Sequence, residues 1–185
     1  MKESKCRMEL SLRLFFALAV PEEIRQDLDG FAVTLEKPWR PVKPERMHIT
    51  LAFMGEVPAD RLDEVIRIGD AAASANSPFE VSISDVACFP EAGEPSVLYA
   101  TVDGAAELAC LAEFLRSRLG SLADQKKFRA HLTLARCRGG WVRKVLHKFT
   151  GSWKVNCFCL IKSILNEESP KYEVIREFAL CDQAQ

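Results

Sequence analysis

HITL at 48–51 returns as HLTL at 131–134, 83 positions further along the chain. The flanks extend the likeness: MHITLAFMG and AHLTLARCR each run His, aliphatic, Thr, Leu, Ala, and together they take two of only three histidines. In an extended strand the side chains of residues i and i+2 point to one face. His48 and Thr50 therefore share a face, with Ile49, Leu51 and Phe53 on the other. His131 and Thr133 share a face in the same way, against Leu132 and Leu134. Each copy offers one imidazole and one hydroxyl on a strip backed by apolar residues. The repetition predicts two core strands of one kind and a site assembled from both.

The elements around these strands follow from periodicity. RLFFALAV at 13–20 is apolar and stops at Pro21, which predicts a buried strand. Pro21, Glu22 and Glu23 suit a helix start, and Ile24, Leu28, Phe31 and Leu35 recur at helical spacing. KPWRPVKPE at 37–45 holds three prolines in nine residues and reads as a loop. A second helix is predicted in PADRLDEVIRIGDAAASA at 58–75, with Leu62, Val65, Ile66 and Ala73 inward. Two strands follow, FEVSISDVACF at 79–89 and SVLYATVDG at 96–104, and then a helix marked by Leu108, Leu111, Ala112, Leu115 and Leu119. FRAHLTLARC at 128–137 carries the second motif strand. Gly139 and Gly140 break it, a short basic helix is expected from Trp141 to Phe149, and WKVNCFCLIKSILN and YEVIREFAL read as closing strands. A helix followed by a motif strand thus occurs twice in an α+β chain. That order predicts a duplicated lobe with its boundary near Ser77 to Phe89.

At 185 residues, 48% hydrophobic and 28% charged, the chain suits one ordinary soluble domain. A net charge of -1 excludes bulk attraction to polyanions, so any such binding must come from local base. Such base lies between Gln125 and Lys148: eight Lys or Arg (Lys126, Lys127, Arg129, Arg136, Arg138, Arg143, Lys144, Lys148) and no Asp or Glu. Seven cysteines without a C-x-x-C pair suit neither a disulfide framework nor a structural zinc site, and a reducing cytoplasm is expected. Cys137 near His131 has no third ligand at suitable spacing, so no metal is expected. The apolar run from Leu10 to Val20 is interrupted by Arg13, and no stretch is long enough to span a membrane.

An imidazole titrates near neutrality and can serve as base or acid. Two of them on opposite sides of a phosphodiester can deprotonate the attacking oxygen and protonate the leaving one, while threonine hydroxyls hold the non-bridging oxygens. A single His-x-Thr with its ring on a backbone carbonyl is usually structural. Two copies in matching contexts favour chemistry. His147, in the basic WVRKVLHKF, reads as a surface residue.

These motifs, with RLFFALAVP, HITLAFMGEV, FRAHLTLAR and SILNEESPKYEVIREFAL, resemble the 2H phosphoesterase superfamily nearly end to end, and within it the RNA 2',3'-cyclic phosphodiesterases, also called 2'-5' RNA ligases. The resemblance implies a LigT-like α+β fold: two pseudo-symmetric, intertwined lobes in one domain over 1–185, each an antiparallel sheet with outer helices, around a central cleft. It implies His48 and His131 as the acid/base pair, and Thr50 and Thr133 on the phosphate; the motif itself does not settle which histidine is base, and the assignment adopted is His131 as base and His48 as acid. The implied substrate is RNA ending in a 2',3'-cyclic phosphate, or a small cyclic nucleotide, opened to a 2'-phosphate without metal or other cofactor. Reversible 2'-5' ligation of tRNA halves and a non-catalytic RNA-end binding module are the alternatives. A cytoplasmic monomer with no membrane partner is expected. The family commonly has Pro where this chain has Ala130, a change that touches no functional group.

Arg136 matches the arginine that ends the family's second motif and suits a phosphate oxygen. Its i+5 spacing from His131 points it to the wrong face unless the strand bulges or ends first. Arg129, Phe53 and Tyr172 are candidates to contact RNA, as are Phe128 and Trp39 for stacking. Lys43 and Arg46, just ahead of the first motif, are within reach of the same cleft.

Overall fold

The computed structural model describes residues 10–91, 94–104, 106–137, 145–166 and 170–181. Within them, nine strands and three α-helices follow in the order β1 (Ser11–Ala19), α1 (Glu22–Ala32), β2 (Arg40–Pro41), β3 (His48–Pro58), α2 (Leu62–Ser74), β4 (Phe79–Phe89), β5 (Val97–Asp103), α3 (Ala106–Leu119), β6 (His131–Arg136), β7 (Ser152–Val155), β8 (Cys157–Ile164) and β9 (Lys171–Ala179). All of these strands join one antiparallel sheet in the order β7-β4-β5-β6-β3-β1-β8-β9, with β2 added on β6. The two motif strands are the innermost members of two four-stranded halves. They meet at a single registered pair, Ile49 with Leu132.

One half is built from both ends of the chain (β1, β3, β8, β9) and the other from its middle (β4 to β7). A single cut near Ser77 to Phe89 therefore does not part them, because the chain crosses back at Asn156, between β7 and β8. The helices cover one face of the sheet. Leu28 of α1, Val65 of α2, and Leu111 and Leu115 of α3 share a core with Ile49, Leu51, Leu132 and Leu134. All eight are buried to within 1% of full enclosure, and each aliphatic side chain so enclosed contributes about 1.5–3 kcal/mol. The apolar face of each tetrapeptide thus holds its strand, and the opposite face is left for chemistry. No helix among the described residues is long and apolar enough to cross a membrane.

Three local expectations are corrected. The proline-rich stretch contains β2, whose Arg40 and Pro41 pair with Arg136 and Ala135 of β6. Val145 to Phe149 is not helical. Its backbone bonds to the bent part of β4, Val86 N–H to the His147 carbonyl and Phe149 N–H to the Ser84 carbonyl, and those tertiary bonds override a weak helical period. Trp141 to Lys144, the rest of that expected helix, lie outside the described residues. The stretch WKVNCFCLIKSILN is split at Asn156 into β7 and β8, which belong to opposite halves of the sheet.

Candidate active site

Both tetrapeptides end on a β-bulge. Between β1 and β3, Ala17 pairs with Thr50 and Phe16 with Ala52, so Leu51 is an extra residue. Between β5 and β6, Tyr99 pairs with Thr133 and Leu98 with Ala135, so Leu134 is extra. An extra residue reverses the alternation of everything after it. Phe53 and Arg136, each five residues beyond its histidine, therefore turn to the His/Thr face rather than away from it. Simple alternation put Phe53 on the core face, and the bulge corrects that. For Arg136 the same device supplies the bulge that its spacing required. A second bulge in β3, at Met54, is followed by Gly55 in the left-handed region at φ 69°, where a side chain would be strained.

His48, Thr50, His131 and Thr133 line one cleft of about 470 Å³, together with Phe53, Arg136 and Tyr172. Continuing the Ile49–Leu132 register by one residue each way sets His48 opposite Thr133 and Thr50 opposite His131. The two histidines then sit on one diagonal of a four-residue square and the two threonines on the other. Diagonal positions across an antiparallel pair are roughly 7–8 Å apart, enough to admit a phosphate between the rings.

Each imidazole is oriented by the same bond. His48 Nδ1 lies 2.7 Å from the carbonyl oxygen of Arg46, and His131 Nδ1 lies 2.7 Å from that of Arg129. A carbonyl only accepts, so Nδ1 carries the proton in both rings and Nε2 is left with a free lone pair. A Phe and a Tyr flank each ring: Phe15 at 5.0 Å and Tyr172 at 5.3 Å from His48, Phe89 at 5.3 Å and Tyr99 at 5.6 Å from His131. Burial lowers His48 to a pKa of about 4, against the raising effect of the Arg46 carbonyl and with help from the charges of His131 and Arg136. His131 is lowered as well, first by burial and then by Arg136 and Arg129, against its own carbonyl bond. In both rings burial favours the neutral form.

Among the described residues the lining contains no Asp or Glu but four arginines, Arg13, Arg40, Arg46 and Arg136. Arg13 lies 3.8 Å from Glu56 and over the Phe53 ring at 4.9 Å. The other three form no ion pair among the described residues. Arg46 was anticipated in the cleft. Arg40, Arg13, Phe15, Ser163 and Leu165 were not. A visible signal for Ser163 is its place as a hydroxyl inside the apolar CFCLIKSI, where it is 9% exposed and faces the cleft.

An adjoining hollow of about 390 Å³ shares Thr50, Phe53, His131, Thr133 and Arg136 with the cleft, and adds Phe89, Phe128, Lys126, Lys127 and Arg129. Arg129 belongs only to this second hollow, lies 2.6 Å from Glu91 and covers the Phe89 ring at 4.7 Å. Trp39, 6% exposed, belongs to the core and is not available for stacking. Lys43 is absent from both linings, and Cys137 is buried. His147 is exposed, stacked on Phe31 at 4.3 Å, away from both hollows. Arg138, Arg143 and Lys144 lie outside the described residues. Among the described residues, no group of three or more His, Cys, Asp or Glu converges as a metal site would.

Residues 18–99 match the family described as LigT like Phosphoesterase. An RNA 2',3'-cyclic phosphodiesterase of Thermus thermophilus is 34% identical over 181 residues, spanning 91% of this chain and 90% of that protein. One of Archaeoglobus fulgidus is 33% identical over 178 residues, spanning 90% and 99%. The crystal structure of a Thermus thermophilus protein superposes with a TM-score of 0.86 at 31% identity, covering 94% of this chain and all of that one.

Proposed function

This chain belongs to the LigT-like phosphoesterase family and is an enzyme of that class, and on that premise we propose that it is an RNA 2',3'-cyclic phosphodiesterase working by metal-independent, two-histidine acid/base catalysis. The observation that carries this reading is the convergence of both His-x-Thr strips, each with Nε2 free, on one cleft whose described lining holds four arginines. The cyclic phosphate sits over the square, with its non-bridging oxygens on the Thr50 and Thr133 hydroxyls and the Arg136 guanidinium. His131, the less enclosed ring, takes a proton from water as the new P–O bond forms. His48 gives a proton to the 3' oxygen as the P–O3' bond breaks, leaving a 2'-monoester and a 3'-hydroxyl. A bound phosphate anion favours imidazolium, so His48 acquires its proton together with the substrate.

We take the working form to be a cytoplasmic monomer, one domain of two intertwined lobes. The test is to offer 2',3'-cyclic AMP and a cyclic-phosphate oligonucleotide in excess EDTA. The 2'-monoester as sole product is expected. Loss of turnover in chelator, a 3'-monoester, or tight retention of unchanged substrate would count against the reading. The adjoining hollow beside His131 favours one second reading, reversible 2'-5' ligation, with the 5'-hydroxyl of another RNA in place of water. Incubating RNA halves that end in cyclic phosphate and 5'-hydroxyl would reveal a joined product.

A further inference from the structure

Among the described residues, the lining of the cleft carries more arginines than one cyclic phosphate requires. That group is a monoanion, and Arg136 with two threonine hydroxyls suffices for it. Arg13 is partly answered by Glu56. Arg40 and Arg46 remain, both lining the cleft and neither in an ion pair among the described residues. Their placement is built rather than incidental. Arg40 lies on β2 directly opposite Arg136 of β6, and like charges across a strand pair oppose each other unless an anion lies between them. Arg46 lies two residues before His48, offers that ring its carbonyl, and has a buried Nε without a partner. An orphaned buried donor is costly, and an incoming acceptor relieves it. Pro41 and Pro44 stiffen the segment between them, and the Val42 N–H bonds at 2.8 Å to the carbonyl of Leu134, the bulge residue that turns Arg136 inward.

We propose that Arg40 and Arg46 bind a second phosphate of the substrate, the one on the 5' oxygen of the ribose that bears the cyclic phosphate. Every chain end of RNA has that group and a nucleoside 2',3'-cyclic phosphate lacks it, so this pair selects chain ends and 5'-phosphorylated nucleotides. The inference rests on the phosphodiesterase reading and deepens it.

The test compares adenosine 2',3'-cyclic phosphate with its 5'-phosphorylated form. Charge-assisted contacts of this kind predict a kcat/KM ratio of roughly 10–100 in favour of the 5'-phosphate, shrinking as salt rises. Arg40→Ala and Arg46→Ala should each reduce the ratio, the double substitution should bring it near one, and Arg40→Lys should restore part of it. The ratio is internal to each variant, so a loss of absolute rate in Arg46→Ala does not obscure it. A ratio near one in the unsubstituted protein, or one that survives the double substitution, overturns the proposal. Affinities for 2'-AMP and adenosine 2',5'-bisphosphate give the same ratio without turnover. A failure of the phosphodiesterase reading would show as absent hydrolysis, and is thereby read apart from a failure of the 5'-phosphate site.

Discussion

The two motif strands share a backbone device and differ in what surrounds it. β3 and β6 each present His and Thr, bulge at the next leucine, and turn the residue five beyond the histidine into the cleft. On β3 that residue is Phe53 and on β6 it is Arg136. The strand partner of Thr50 is Ala17, and that of Thr133 is Tyr99. His48 is the more enclosed ring and the harder to protonate. Duplicated geometry fixes two identical tautomers with a Phe and a Tyr beside each ring, and the two rings then differ in enclosure, His48 being the more buried and His131 the more open, with Arg129 as a further neighbouring charge.

The largest way to break this comparison is to remove either imidazole. His48→Ala and His131→Ala are each expected to lower kcat by about 10²–10⁴-fold with the circular dichroism spectrum unchanged. If one of them turned over cyclic phosphate near the normal rate, the two-sided site would be wrong. Next comes the pair of bulge-turned residues. Arg136→Ala should cost roughly 10–100-fold in kcat/KM, the loss of a charge-assisted contact to the phosphate. Phe53→Ala should cost only a few-fold and mainly in KM, as loss of a stacking surface does. Equal losses at the two positions would mean the strands are not differentiated as described.

Much of this was legible in the sequence because it is local. Two-residue periodicity put His and Thr together on each strand, and all five residues expected inward on α3 are buried. The bulges at Leu51 and Leu134 were not legible, since an extra residue in a ladder leaves no mark in its own strand and is defined by the partner's register. For the same reason the pairing of β1 with β8, distant segments of the chain, could not be read from element order, and neither could the two-residue β2 inside a proline-rich loop. The Val145 to Phe149 segment shows a weak local period losing to backbone bonds made by β4.

A separate effect concerns stability in acid. His48 has a folded pKa of about 4 against about 6.5 unfolded, so the unfolded chain binds more protons between those values. Stability from this group is complete above pH 6.5, is lost as pH falls toward 4, and does not fall further below. The loss is about 3 kcal/mol by the usual conversion. His131, lowered too, adds in the same direction. Urea unfolding at pH 7 and pH 4.5 should show a smaller acid loss in His48→Gln than in the unsubstituted protein. An identical loss in both would contradict the desolvation described for this ring.

The central claim is that two distant tetrapeptides form one site acting on one phosphorus. Its most direct test is single-turnover hydrolysis of a cyclic-phosphate oligonucleotide by His48→Ala, His131→Ala and the double variant. Residues that act as a unit are non-additive. The double variant should therefore be scarcely slower than the slower of the two single variants. Losses that multiply in the double variant would contradict the claim.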